Sequence, residues 1–478
     1  MKLSILALGA LLAAPGLANA APADERRHAV ETGLLPAVLV DDGQGSGARR
    51  LEDEMRALKV PGVAIAVVRG GKLDWARGYG VTSLGGKAVD ADTLFQAGSV
   101  SKPVAAVAAL TLVQDGTLAL DAPISVALKS WTLPENDFTR AAPVTLRRLL
   151  SHTAGTTVHG FPGYALGAAI PTVPQILDGA PPANTAAVRV DQPVGVAYRY
   201  SGGGYTIAQL AMIDAAGKPF PAIARPRLLA PLGMARSTYD QPLAAGTSNV
   251  ALAHDDAGQA IPGGFHVYPE MAAAGLWTSA SDLARFVVEV QDATKGRGKV
   301  LSENTAREML TAGPGAWGLG FKITGRGKTL AFFHDGSNAG YKATLIGHPE
   351  TGDGAVILTN GDQGYQLGQE ILRCIAVAYG WADNRPIVRK AATLPLDAQR
   401  RFGGTFEIKG LGTFEIRQAP TDAAMLIEIR KGQAFRLVPS SDRSFFITEQ
   451  DIVVTFQDAD HGTAHADGQR FMFERVKP

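Results

Sequence analysis

The stretch F-Q-A-G-S-V-S-K-P-V-A-A-V-A-A-L-T-L-V-Q-D-G, starting at Phe95, constrains this chain more than any other. Its apolar run continues to Val113 and meets a helix stop at Asp115-Gly116. Pro103 cannot make the hydrogen bond four residues back, so a helix is predicted to begin close to Ser99. Ser99 and Lys102 stand about one turn apart, and their side chains leave the same face. A buried lysine is costly unless something pairs with it or uses it. Either the polar pair merely opens a helix, or the lysine is there to act on the serine.

The flanking sequence predicts a sheet around that helix. Val60 to Gly80 reads as two strands about the turn Arg69-Gly70-Gly71-Lys72. Tyr341 to Gly347 and Gly354 to Asn360 read as two more, followed by a helical pattern from Gln366 to Tyr379. A polar, helical lead-in covers Arg49 to Leu58. Strand pairs at both ends, with helix and loop between, predict one antiparallel sheet closed by distant segments beside a mostly helical insertion. The run R-P-I-V-R-K-A-A-T-L-P-L-D from Arg385 reads as a linker. Beyond it, seven short alternating segments between Gly404 and Glu474 predict a small all-β barrel or sandwich. His461 and His465 fall in a stretch that reads as a solvated hairpin turn. The glycine run Gly202-Gly203-Gly204 reads as a turn.

The N-terminus predicts export. Lys2, the apolar run Leu3 to Leu12 and Ala18-Asn19-Ala20 have the layout of a signal peptide cleaved after Ala20. No later run reaches the length of a membrane span, so a soluble periplasmic or secreted protein is expected. The net charge of +1, with no long basic or acidic block, gives no reason to expect nucleic acid or a membrane surface as partner. Cys374 is the single cysteine, set in an apolar helical pattern as a core residue, so no disulfide forms within the chain. The sequence has no strand–helix G-x-G-x-x-G, Walker loop, H-E-x-x-H or G-x-S-x-G.

A serine hydroxyl is a poor nucleophile until a neighbour takes its proton. Lys102 does so if burial holds it neutral, and a tyrosine can share the task. V-A-Y-R-Y-S-G-G-G-Y supplies Tyr200, and F-F-H-D-G-S-N-A-G-Y supplies His334 ahead of small residues that let a substrate lie along a strand edge.

With these three pieces in order, the chain resembles the serine β-lactamase and penicillin-binding protein superfamily. Within it, the chain more closely resembles the branch that holds class C β-lactamases, D,D-peptidases, D-aminopeptidases and related esterases. Ser99-x-x-Lys102 matches the first motif, Tyr200-Ser201-Gly202 stands where the family has Tyr-x-Asn, and His334-Asp335-Gly336 where it has Lys-Thr-Gly or His-x-Gly. T-L-R-R-L-L-S-H-T-A-G at Thr145, G-L-W-T-S-A-S-D-L-A-R-F at Gly275 and W-G-L-G-F at Trp317 also fit, so the resemblance runs from about Leu51 to Tyr379. The trailing β domain resembles a lipocalin-like extension.

The resemblance implies an α/β fold of α+β type: an antiparallel sheet flanked by helices, β-lactamase-like, over residues 31–385, with a C-terminal β-barrel over 395–478. It implies an acyl-enzyme on Ser99, Lys102 and Tyr200 as shared general base, and His334 as a group that places a substrate carboxylate or the Tyr200 hydroxyl. The backbone N–H groups of Ser99 and of Ser337, next to Gly336, would form the oxyanion hole. No metal or organic cofactor is implied. Gly202 in place of asparagine, and His334 in place of lysine, favour small esters or D-amino-acid amides and peptides as substrates over β-lactams. The alternatives are a true class C-like β-lactamase, and a non-catalytic penicillin-binding sensor or scaffolding protein.

Overall fold

In the computed structural model, which describes residues 22–41, 47–420, 424–430, 432–466 and 468–476, the first hairpin is β1 (Gly62–Arg69) and β2 (Lys72–Gly80). Gly70 and Gly71 join them at φ +56° and +76°, the pair of positive φ values that a tight two-residue hairpin needs. The leader pattern through Ala20 lies outside the described residues. Four later strands complete the sheet: β3 (Lys322–Thr324), β4 (Ala331–Asn338), β5 (Tyr341–Gly347) and β6 (Gly354–Thr359).

The order is β2-β1-β6-β5-β4-β3, antiparallel throughout, as the distant hairpins require. Thr359 opposite Val63 fixes the register that closes the sheet across the sequence. Every residue of β6 is buried, and all of β1 but Arg69, because both faces of the central strands are covered. β3 pairs only with residues 331–333 of β4, which leaves the remainder of that strand, from His334 on, without a second neighbour in the sheet. That half strand borders the site.

Helix α1 (Ser101–Gln114) is buried from Ser101 to Leu112. It packs against α2 (Gly202–Ala216) and the short α3 (Met271–Ala274), while α4 (Ala280–Ala293) lies on the sheet. The glycine run expected as a turn is instead the first turn of α2. Ser201 caps it by accepting from the Gly204 N–H at 2.9 Å. A Cβ at Gly203 would come within 2.7 Å of the Thr157 carbonyl, so glycine is required by close packing and not by a bend.

The described chain divides into two units, Glu52–Gly368 and a second that joins the described residues up to Leu51 to those from Gln369. The second unit corrects the linker expectation. Ile387–Lys390 is a strand, paired in parallel with Val38–Asp41. Its partner lies more than three hundred residues earlier, so no local pattern announces the pairing. Cys374 is buried in this unit, with its thiol pushed up to about 12 by burial.

The rest of that unit is a closed barrel of eight strands: β7 (Gly404–Ile408), β8 (Gly412–Gln418), β9 (Met425–Arg430), β10 (Gln433–Pro439), β11 (Ser444–Phe446), β12 (Ile452–Phe456), β13 (His461–Ala466) and β14 (Gln469–Arg475). The strand not expected is β13, which carries His461 and His465. Its H-G-T-A-H-A sequence lacks the bulky apolar residues that mark strands, and β12 and β14 supply its order from either side. Inside, Phe402, Phe406, Phe414, Phe456 and Phe473 meet ring to ring, with centroids 4.3–5.5 Å apart. An eight-stranded barrel is just wide enough for side chains to fill, and these aromatic rings are the core of this one.

Candidate active site

Gly98–Val100 form a 3₁₀ turn, and the α-helix starts at Ser101, two residues later than the sequence predicts. The two serines of the motif thereby part ways. Ser101 Oγ donates to the Gly98 carbonyl at 2.6 Å and accepts the Leu276 N–H at 2.9 Å, so its hydroxyl is spent on structure. Ser99 is half-buried, and its Oγ lies 2.8 Å from Lys102 Nζ.

Lys102 is 1 % exposed, and Nζ also donates to the Ala273 carbonyl at 2.8 Å. Burial lowers its pKa from 10.5 to about 7. A carbonyl oxygen accepts only, so Ala273 engages an N–H and leaves the lone pair of the neutral amine for the Ser99 hydroxyl.

Tyr200 sits on the same serine. Lys102 Nζ is 4.9 Å from its ring centroid, and the Ser99 side chain is near enough to its hydroxyl to lower the phenol's pKa. Burial pushes the phenol well above its ordinary value, partly offset by Ser99, so the phenol keeps its proton. The carrier is the loop before α2, which has no regular structure of its own.

His334, on β4, is buried, and its Nδ1 lies 2.5 Å from the Asp335 carbonyl. Burial first, and then the charge of Lys102, bring its pKa down to about 3. His152 and His159 are lowered as well, burial leading and Lys102 adding in both. These basic groups crowd one another and hold the site close to neutral.

Gly336 and Ser337 follow His334 along β4. A Cβ at Gly336 would lie 1.9 Å from the Ala97 carbonyl, and one at Gly98 would lie 2.5 Å from the Ser337 nitrogen. Gly98 also has φ +51°. Only glycine at both positions lets the two backbones touch and brings the Ser337 amide beside the Ser99 turn. At Gly202 a Cβ would lie 2.8 Å from the Phe161 ring, so this wall is closed by an aromatic edge rather than by a polar side chain.

Other groups nearby have no role assigned from sequence, Trp317 entering only within the phrase W-G-L-G-F. Trp317 lies edge-on to His152 and His334, at 4.9 and 5.2 Å, and stacks on Tyr198 at 5.6 Å. The Ala273 carbonyl that holds Lys102 is a backbone group. Glu270, the residue before α3, is fully buried, and neither carboxylate oxygen has a partner outside its own residue among the described residues. Burial raises its pKa to about 7.

Comparison with known proteins agrees with this arrangement. The Beta-lactamase family model matches residues 48–379. Penicillin-binding protein 4 of Amycolatopsis lactamdurans is 29% identical over 320 residues, covering 63% of this chain and 81% of that protein. Esterase EstB of Burkholderia gladioli is 35% identical over 105 residues, covering 22% of this chain and 26% of the esterase. The octameric penicillin-binding protein homologue from Pyrococcus abyssi has the same fold, with a TM-score of 0.58 at 20% identity, covering 88% of this chain and 98% of that one. With the family model spanning most of the chain and the serine, lysine and tyrosine gathered at one point, this chain belongs to the beta-lactamase family of serine hydrolases.

Proposed function

We propose that the protein is an exported hydrolase that cleaves small uncharged esters, and amides of D-amino acids, through an acyl intermediate on Ser99. One observation carries the reading: Lys102 Nζ lies 2.8 Å from Ser99 Oγ in surroundings that bring its pKa down to about 7, so a useful fraction of the amine is a free base near neutrality. The Lys102 lone pair takes the hydroxyl proton as Ser99 Oγ bonds to the substrate carbonyl carbon. The oxygen that becomes negative is received by the backbone N–H groups of Ser99 and Ser337. Tyr200, still protonated, gives its proton to the departing oxygen or nitrogen and is reprotonated from Lys102. Water then attacks the acyl group by the same route and frees Ser99. Lys102 is the resting base in this scheme and Tyr200 the acid.

The preference for uncharged substrates follows from the missing cation. Lys102, His152, His159 and His334 are all held below their ordinary values, so a substrate carboxylate finds no fixed positive charge in them. The stretch shared with an esterase supports the same choice. On the mature protein, a p-nitrophenyl ester is expected to exceed a D-Ala-D-Ala peptide and a chromogenic cephalosporin in kcat/KM by about a hundredfold or more, two powers of ten being about 2.7 kcal/mol of transition-state binding. Faster turnover of either carboxylate-bearing substrate rejects the preference. A stable penicilloyl adduct without ester turnover would favour the sensor. Export rests on the N-terminal pattern, and N-terminal sequencing of the secreted protein should begin at Ala21.

The pH profile provides a second check. With an uncharged ester, kcat/KM is expected to rise about tenfold per pH unit up to about 7 and then level, as Lys102 loses its proton. Glu270 and Asp335 titrate near the same point, at about 7 and about 6, both raised by burial. Glu270→Gln and Asp335→Asn should therefore leave the limb in place; a limb that vanishes in either variant assigns it to the carboxylate.

The Gly336 contact yields a third expectation. Gly336→Ala has to push β4 away from Ala97 and with it the Ser337 amide. A loss of about two to three powers of ten in kcat is expected, the usual cost of one oxyanion donor. A folded variant with undiminished ester turnover would remove Ser337 from the oxyanion hole.

A further inference from the structure

We infer that His152 is a positioning residue that holds Tyr200 against Ser99. The inference rests on the role proposed above for Tyr200. Tyr200 lies on an irregular loop, whose backbone must find its hydrogen bonds outside helix or sheet. It finds them on one turn. The Gly195 N–H donates to the Thr153 carbonyl at 2.7 Å, the Arg199 N–H to the His152 carbonyl at 2.8 Å, and the Ser201 N–H to His152 Nδ1 at 3.1 Å.

Both neighbours of Tyr200 are thus bonded to the same histidine. The imidazole also stacks on the Tyr200 ring, with centroids 4.3 Å apart and planes 30° apart. One residue therefore holds the phenol's backbone, through its flanking amides, and packs on its ring, against which His159 and Trp317 also lie with centroids 4.8 and 5.7 Å away.

The histidine is built for this at a cost. It is 2 % exposed and has φ +58°, a left-handed conformation that a non-glycine residue adopts only when its surroundings compensate. Because Nδ1 accepts the Ser201 N–H, the ring must be neutral with its proton on Nε2. Burial and the neighbouring Lys102 hold it in that state. Nε2 has no protein partner among the described residues, so the ring is fixed from its Nδ1 side and its face.

Two substitutions separate these contacts. His152→Asn places an oxygen where Nδ1 stood and is the side chain most tolerant of positive φ, but removes the stacked ring. His152→Phe keeps a ring and removes the acceptor, leaving the Ser201 N–H unpaired. With an uncharged ester, H152F is expected to lose about a hundredfold in kcat with KM little changed, the scale of a 1 Å misplacement of a reacting group, and H152N to recover part of that loss. The deciding measurement is the cycle with Tyr200→Phe. In the Y200F background, either His152 substitution should cost less than about threefold, because the group it positions is already gone.

A large Y200F effect with an undiminished His152 effect in that background overturns the inference alone. A small effect of Y200F by itself overturns the role of Tyr200, and the inference with it. Should H152F fail to fold, H152N and its Y200F double variant give the same comparison.

Discussion

Replacing Ser99 by alanine is expected to lower kcat by about four to six powers of ten and to abolish covalent labelling by a fluorophosphonate, the scale seen when a hydrolase loses its nucleophile. Nearby serines cannot take over. Ser101 has both donor and acceptor capacity engaged by Gly98 and Leu276, and Ser201 donates to the Thr157 carbonyl at 2.6 Å while capping α2. Neither reaches the Lys102 lone pair without breaking a buried hydrogen bond. The fold should be indifferent, because Ser99 is only half-buried and caps no helix. Thermal melting of S99A should therefore overlay the wild type within a few degrees. Labelling that persists in a folded S99A protein moves the nucleophile elsewhere and ends the acyl-Ser99 scheme.

Lys102→Met is expected to cut kcat by about three to four powers of ten while making the protein more stable, a pairing that few active-site substitutions produce. Methionine has similar length, fills the same space and carries no charge, and the hydrogen bond lost to the Ala273 carbonyl, about 1–3 kcal/mol, offsets only part of the gain. Removal of the base accounts for the rate. The stability gain follows from linkage. Below pH 7 the lysine is protonated in both folded and unfolded chains, and the folded state bears the full penalty of a buried charge. Between about 7 and 10.5 the unfolded chain holds more protons than the folded one, so wild-type stability rises with pH. Above 10.5 the amine is neutral in both and the penalty is gone. The variant's advantage should thus be on the order of a few kcal/mol near pH 6 and close as pH approaches about 10. Equal melting temperatures across that range would show that Lys102 is not held near 7, and the argument for a free-base lysine would fall with it.

The elements that local sequence announces are those built by local sterics. The Gly70-Gly71 hairpin, the apolar helix from Ser101 and most barrel strands follow from turn chemistry and side-chain period, and all appear close to where these place them. The misses share a cause. Ile387–Lys390 pairs with a segment near the other end of the chain, β13 borrows its order from the strands on either side, and the glycines of α2 are helical because other backbones press against them. Each depends on a partner outside its own segment, near in the chain for β13 and far for the other two.

The site divides along the same line. The order of Ser99-x-x-Lys102, Tyr200 and His334-x-Gly336 in the chain is enough to indicate the family and the residues worth watching, because motif order and spacing are properties of the chain itself. Which serine keeps its hydroxyl clear of backbone partners, and how far burial lowers Lys102 and His334, depend on tertiary structure. Hydroxyl availability depends on the acceptors that happen to surround it, and a pKa depends on how much water the fold removes. Ser101 and Ser99 differ by a carbonyl and an amide brought in by packing, and Lys102 differs from a surface lysine by burial alone.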